Sequence, residues 1–190
     1  SASSFDDTIA WYENDGSENF TEQVLTTSAD YAFSVYAADV DGDGDMDVLS
    51  ASKDDNTIAW YENDGSESFT KINITTNADG AYSVYATDVD GDGDMDVLSA
   101  SSNDDTIAWY ENDGNGGFTT THVITNLANS AMSVYAADLD GDGDMDVLSA
   151  SVDDDTIAWY ENDGSQGFTK IDITNSADGA MYVYAADVDG

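Results

Sequence analysis

Residues 88–101 read Asp88-Val89-Asp90-Gly91-Asp92-Gly93-Asp94-Met95-Asp96-Val97-Leu98-Ser99-Ala100-Ser101, and residues 106–114 read Thr-Ile-Ala-Trp-Tyr-Glu-Asn-Asp-Gly. Between Tyr82 and Ile124 four short runs are rich in β-branched or aromatic residues: Tyr82–Thr87, Met95–Ser101, Thr106–Asn112 and Phe118–Ile124. Each is bounded by Asp, Asn or Gly, which is how strands are punctuated. Asn112-Asp113-Gly114 predicts a tight turn between the third and fourth runs, because Asn and Gly accept positive φ at little cost. No helical spacing of apolar residues occurs. The stretch therefore predicts four antiparallel strands, with an aspartate-rich loop joining the first two.

The same unit recurs along the chain. Trp-Tyr-Glu-Asn-Asp-Gly begins at Trp11, Trp60, Trp109 and Trp159, at spacings of 49, 49 and 50 residues. Asp-x-Asp-Gly begins at Asp39, Asp88, Asp138 and Asp187. Four strands per roughly 50 residues is the arithmetic of a β-propeller blade. The fold class is thus all-β, built of four-stranded antiparallel blades in about four repeats. The divisions fall at 1–28 (strands two to four of a blade), 29–77, 78–127, 128–177, and 178–190 (a first strand and half a loop). The phase of the ends suggests a segment of a larger propeller or array over a closed four-bladed ring. The one extra residue is expected in the loop near Leu127–Ser130. Within a blade, Ile107 and Trp109 should face one neighbour and Ala108 and Tyr110 the other. Small residues such as Ala86, Ser99 and Ala100 suit crowded strands near a propeller axis.

Charge restricts the partners. The chain carries 41 Asp plus Glu against 3 Lys plus Arg, a formal net charge of -38. Nucleic acid and anionic membranes both require a basic surface, so neither is expected as a partner. Membrane insertion is not expected either, since no long apolar run occurs. Hydrophobic residues at 41% and aromatics at 11% argue for a packed core and against disorder. There is no cysteine, which excludes disulfides and thiolate metal sites. A fold this acidic calls for bound cations.

The loops supply the sites. Three complete copies of D-x-D-x-D-G-x-x-D are present: Asp39, Asp41, Asp43 and Asp47; Asp88, Asp90, Asp92 and Asp96; Asp138, Asp140, Asp142 and Asp146. The seventh positions, Asp45, Asp94 and Asp144, are expected to offer backbone carbonyls. A fourth copy opens at Asp187 and Asp189 and is incomplete. Calcium takes six to eight oxygens at ~2.3–2.6 Å, and carboxylates at alternate positions of a turning loop can converge on one point. Without a cation such loops repel themselves: two like charges ~4 Å apart cost roughly 4 kcal/mol at an effective dielectric of 20. Three Ca²⁺ ions are expected, one per complete loop. Magnesium fits less well, because it keeps its waters and takes few carboxylates. An EF-hand is excluded by Ser50, Ser99 and Ser149 at the twelfth positions, where an acid is required.

The segments DVDGDGDMDVLSAS and TIAWYENDG resemble FG-GAP/VCBS-type repeats, the family of the integrin α-chain propeller, over essentially the whole chain. That resemblance implies calcium in the loop between the first two strands, with ligands at loop positions one, three, five and nine. It also implies a propeller commonly of seven blades. No Gly-Ala-Pro occurs here, and about four repeats are present.

Trp11, Trp60, Trp109 and Trp159 read as packing between blades, with stacking on a ligand as the alternative. Phe20, Phe69, Phe118 and Phe168 read the same way. His122, the only histidine, aligns with Val24, Asn73 and Asp172, and a position so variable is expected to be exposed and non-catalytic. No nucleophile–base pair stands out, so an enzyme is not expected. The functional expectation is a calcium-binding extracellular or cell-surface scaffold that recognises a protein or glycan ligand. Its alternatives are a filament or surface-layer subunit binding copies of itself, and a calcium-dependent lectin.

Overall fold

The computed structural model describes residues 1–188. Four antiparallel meanders follow one another. The first sheet holds β1 (Ala2–Ser3), β2 (Thr8–Asn14) and β3 (Phe20–Thr26). The second holds β4 (Ala32–Ala38), β5 (Asp47–Ser52), β6 (Thr57–Asn63) and β7 (Phe69–Thr75). The third holds β8 (Ala81–Thr87), β9 (Asp96–Ser101), β10 (Thr106–Asn112) and β11 (Phe118–Thr125). The fourth holds β12 (Ala131–Ala137), β13 (Asp146–Ser151), β14 (Thr156–Asn162) and β15 (Phe168–Thr174). Among the described residues there is no helix, and so none long and apolar enough to cross a membrane.

Each interior sheet buries both faces, as the alternation along the third strand requires. Ile107 and Trp109 pack with Val134, Val147 and Tyr160 of the fourth sheet, whereas Tyr110 packs with Leu49, Ile58 and Trp60 of the second. Ser99 and Ala100 are fully buried, and Ser99 Oγ lies 3.2 Å from the Tyr110 hydroxyl.

The first strands stand side by side. Val84 N–H donates to Ser34 Oγ, Val134 N–H to Ser83 Oγ and Val183 N–H to Ser133 Oγ, each at 3.3 Å. Beside these bonds runs a ladder of tyrosine rings, Tyr36–Tyr85–Tyr135–Tyr184, with centroids 4.6, 4.9 and 4.8 Å apart. The ladder lines a cavity of about 550 Å³. Adjacent blades thus meet through side chains, not through a continuous backbone ladder.

Two expectations are corrected. Residues 181–187 form no strand. A strand is defined by its ladder, and this segment is held to the fourth sheet instead by Ser133 Oγ, the Tyr135 ring and the burial of Val183 with Leu148 and Ala150. The extra residue of the third repeat is not in the loop at 127–130. It is a bulge in β11: Glu111 pairs with Thr120 and Asn112 with Phe118, which leaves Thr119 opposite nothing. A pair of strands absorbs the residue here because β11 is the exposed outer strand of its sheet, where Thr119, Thr120 and Thr121 all face solvent.

Candidate metal centre

The three complete acidic loops join β4 to β5, β8 to β9 and β12 to β13. Their shape comes from short side-chain-to-backbone bonds of the kind aspartate makes in turns. In the loop at 88–96, Asp88 accepts from Gly91 N–H (2.7 Å) and Gly93 N–H (2.9 Å). Asp90 accepts from Asp92 N–H (3.2 Å) and Asp92 from Asp94 N–H (2.9 Å). Gly93 sits at φ 99°, a conformation that costs a residue with a Cβ heavily.

Asp96, at the ninth position, is 1% exposed and differs from the rest. Its two oxygens accept from Val89 N–H and Asn112 N–H, both at 2.9 Å. Asp47 and Asp146 repeat the arrangement, with Val40 and Asn63 and with Leu139 and Asn162 as donors. The ninth aspartate therefore clamps the loop to the end of the third strand and also borders the acidic cluster.

Carboxylate oxygens converge in every complete loop. Oxygens of Asp39, Asp41 and Asp43 lie within 4.8 Å of one another, as do those of Asp88, Asp90 and Asp96, and of Asp138, Asp140 and Asp146. These three clusters can hold a metal ion. Asp92 and Asp142 are not in the clusters, although Asp43 at the same loop position is. Asp45, Asp94 and Asp144 stand apart: their carboxylates abut the glycine of the neighbouring Asn-Asp-Gly turn. A Cβ on Gly65, Gly114 or Gly164 would come within 2.4 Å of that carboxylate. Turn and loop are thus fitted to each other. Asp187 opens the incomplete fourth loop, and Asp189 lies outside the described residues.

The fit to a cation has a direct indicator. Asp39 Oδ1 is buried and has no hydrogen-bond partner, a costly state for a carboxylate oxygen unless something positive completes it. Protein cations do not supply it: the ion pairs His122–Glu111 and Lys170–Asp172 lie away from the loops. Hard oxygens in a turning loop are the donor set of a hard cation.

Burial pushes the Asp96 carboxyl up to about 7; the Asn112 and Val89 N–H bonds pull it down, and Asp90 and Asp92 push it further up. Burial also raises Asp47 and Asp90. The folded chain therefore holds protons that the unfolded chain has released at the same pH. Stability is greatest below the unfolded carboxylate value and falls as pH rises towards the folded one. In chelator, the unfolding free energy from urea titration is expected to drop between pH 4 and pH 7, at a slope of up to roughly 1.4 kcal/mol per pH unit for one group, and the midpoint with it. Asp96→Asn should flatten it. A midpoint that rises across this window in chelator would contradict the assignment.

The aromatic positions divide by burial. Trp60 and Trp109 are 2% and 0% exposed and offer no face for stacking on a ligand. Trp60 meets Phe118 edge-on at 6.2 Å. Trp11 and Trp159 are partly exposed. His122 is not the exposed residue that repeat counting suggests. Because of the bulge at Thr119 it pairs opposite Trp109, where the other repeats place Gln23, Ile72 and Ile171. It stacks on the Trp109 ring at 4.2 Å and 11°, and its Nε2 lies 2.9 Å from Glu111 Oε2. Asn63, Asn112 and Asn162, read from sequence as turn formers alone, are the donors that fix the ninth aspartates. Their signal was the identical Asn at the end of every third strand.

Solved structures share this architecture. A lectin from Agrocybe aegerita, described by its recognition of non-reducing terminal N-acetylglucosamine, superposes with a TM-score of 0.60 at 19% identity. That match covers 91% of this chain and 48% of the lectin. The V. cholerae biofilm matrix protein Bap1 superposes with a TM-score of 0.54 at 21% identity, covering 94% of this chain and 28% of its own. At such identities the likeness is one of fold. No curated protein matches the sequence. A family model described as an FG-GAP-like repeat matches residues 1–50, 39–99, 88–149 and 139–190. Four overlapping matches leave no part of the sequence outside the pattern, and the chain belongs to the FG-GAP-like repeat family.

Proposed function

We propose that this chain is a calcium-binding recognition scaffold that works outside the cell or at its surface and catalyses nothing. The observation that carries the proposal is the convergence of carboxylate oxygens in all three complete loops, with a buried partnerless oxygen at Asp39. Asp39, Asp41, Asp43 and Asp47 are the side-chain ligands assigned to the first ion. Asp88, Asp90, Asp92 and Asp96 serve the second, and Asp138, Asp140, Asp142 and Asp146 the third, with carbonyls of Asp45, Asp94 and Asp144 completing each set. Extracellular calcium modules work at about 10⁻⁴–10⁻³ M, which matches surroundings rich in calcium.

With the loops filled, the blades form a rigid frame whose exposed loops meet a ligand. The likeness to a sugar-binding lectin and to a biofilm matrix protein supports a glycan or a surface protein as that ligand. Isothermal calorimetry of the chelator-stripped chain tests the cation assignment. Three calcium ions per chain are expected, with magnesium at least about tenfold weaker, since it gives up its waters reluctantly. Fewer than three, or equal affinity for the two ions, would contradict it.

A further inference from the structure

Asn112 and Asn162 each touch two acidic loops at once. Asn112 ends β10 and is 1% exposed. Its backbone N–H donates to Asp96 Oδ1 at 2.9 Å, and its Nδ2 donates to the Met95 carbonyl at 2.9 Å, both within the loop at 88–96. The same Nδ2 donates to the Val40 carbonyl at 2.8 Å, in the loop of the preceding blade. Its Oδ1 accepts from Gly114 N–H at 3.1 Å. Both amide hydrogens and the amide oxygen are engaged, which leaves the side chain one orientation.

Asn162 repeats this one blade on. Its N–H donates to Asp146 Oδ1 (2.9 Å), and its Nδ2 to the carbonyls of Met145 (3.1 Å) and Val89 (3.0 Å). Val40 and Val89 are in turn the residues whose N–H groups hold Asp47 and Asp96. The path from loop to loop is continuous: Asp47, Val40, Asn112, Asp96, Val89, Asn162, Asp146. Each residue on it is at most 3% exposed. Buried hydrogen bonds of this kind are strong and shift as a unit.

We infer that Asn112 and Asn162 couple neighbouring cation sites, so that the three loops fill cooperatively. The inference rests on the cation reading above. A cation in the second or third loop fixes Asp96 or Asp146, and with it Asn112 or Asn162 and the valine of the adjacent loop. A cation in the first loop fixes Asp39 and the adjoining Val40, whose carbonyl holds Asn112. That adjacent loop then has less freedom left to lose when its own cation arrives, which is positive coupling without a change of shape. Coupling is reciprocal and passes between neighbours only: the loops at 39–47 and 138–146 communicate through the loop at 88–96. The two asparagines act as positioning residues.

Calcium titration of the full chain, followed by calorimetry and tryptophan fluorescence, tests this. The unaltered chain should bind three ions with a Hill coefficient above one. Emptying the middle loop with Asp88→Ala plus Asp90→Ala spares every residue on the path. The two remaining sites should then bind independently and about five-fold more weakly or worse, as coupling of ordinary size requires. Emptying the first loop with Asp41→Ala plus Asp43→Ala should leave a cooperative pair. Asn112→Ala changes no charge and should uncouple the first site while the other two stay coupled. Three sites that fill independently, or outer sites unmoved when the middle loop is emptied, overturn the coupling and leave the cation reading standing. No calcium uptake at all overturns both.

Discussion

Replacing Trp109 by alanine is expected to cost about 3–5 kcal/mol, the range for deleting a large ring from a packed core. The indole is fully buried, lies opposite Leu98 in β9 and His122 in β11, and packs against Tyr160 and Phe168 of the next blade. The substitution therefore removes contacts within one sheet and across one interface together. The loss should appear in chelator as well as in calcium, because it comes from packing and not from cation binding. Trp159→Ala, at a partly exposed position of the last sheet, should cost clearly less. Denaturant titration of both variants measures the difference. A Trp109→Ala loss under about 1 kcal/mol would place the indole outside any real core. A normal fold with lost ligand binding would revive the stacking role that its burial denies.

Much of this architecture was readable because the repeats are strict. The strands expected from residues 82–124 match β8 to β11 to within one residue at each end. Alternation of apolar residues and the Asn-Asp-Gly turn act locally, so a local reading finds them. The site was readable for the same reason: aspartates at alternate positions of a glycine-bent loop must crowd their oxygens.

What stayed hidden depended on distant or degenerate information. Thr119, Thr120 and Thr121 are identical, so counting residues could not say where the third repeat had gained one, and His122 was matched to the wrong positions. The bond from Asn112 to the Val40 carbonyl spans 72 residues of sequence and follows from no local pattern. The division among ligand positions was equally hidden. Position five joins the cluster in the first loop, and position nine joins it in the second and third. The tyrosine ladder repeats at the same spacing as everything else, and only the packing of blades reveals that the rings meet.

The calcium effect on stability is the largest expected for the molecule. One site at a free calcium of 100 times its dissociation constant adds roughly 2.7 kcal/mol, and three such sites together exceed any single substitution considered above. The chain has 41 acidic residues and three basic ones to place in one fold. The acidic clusters form where the backbone is pinned on both sides by buried asparagine and aspartate. A cation there relieves repulsion and completes Asp39 Oδ1 in one step.

The most direct test is a thermal melt of this chain in calcium and in excess chelator at matched ionic strength, with magnesium as the control. The account predicts a rise in Tm of well over ten degrees with calcium, given about 2–4 °C per kcal/mol for a chain of this length, and a much smaller rise with magnesium. Coincident melting curves in calcium and chelator would contradict it, and the loops would then be an acidic scaffold stable without an ion.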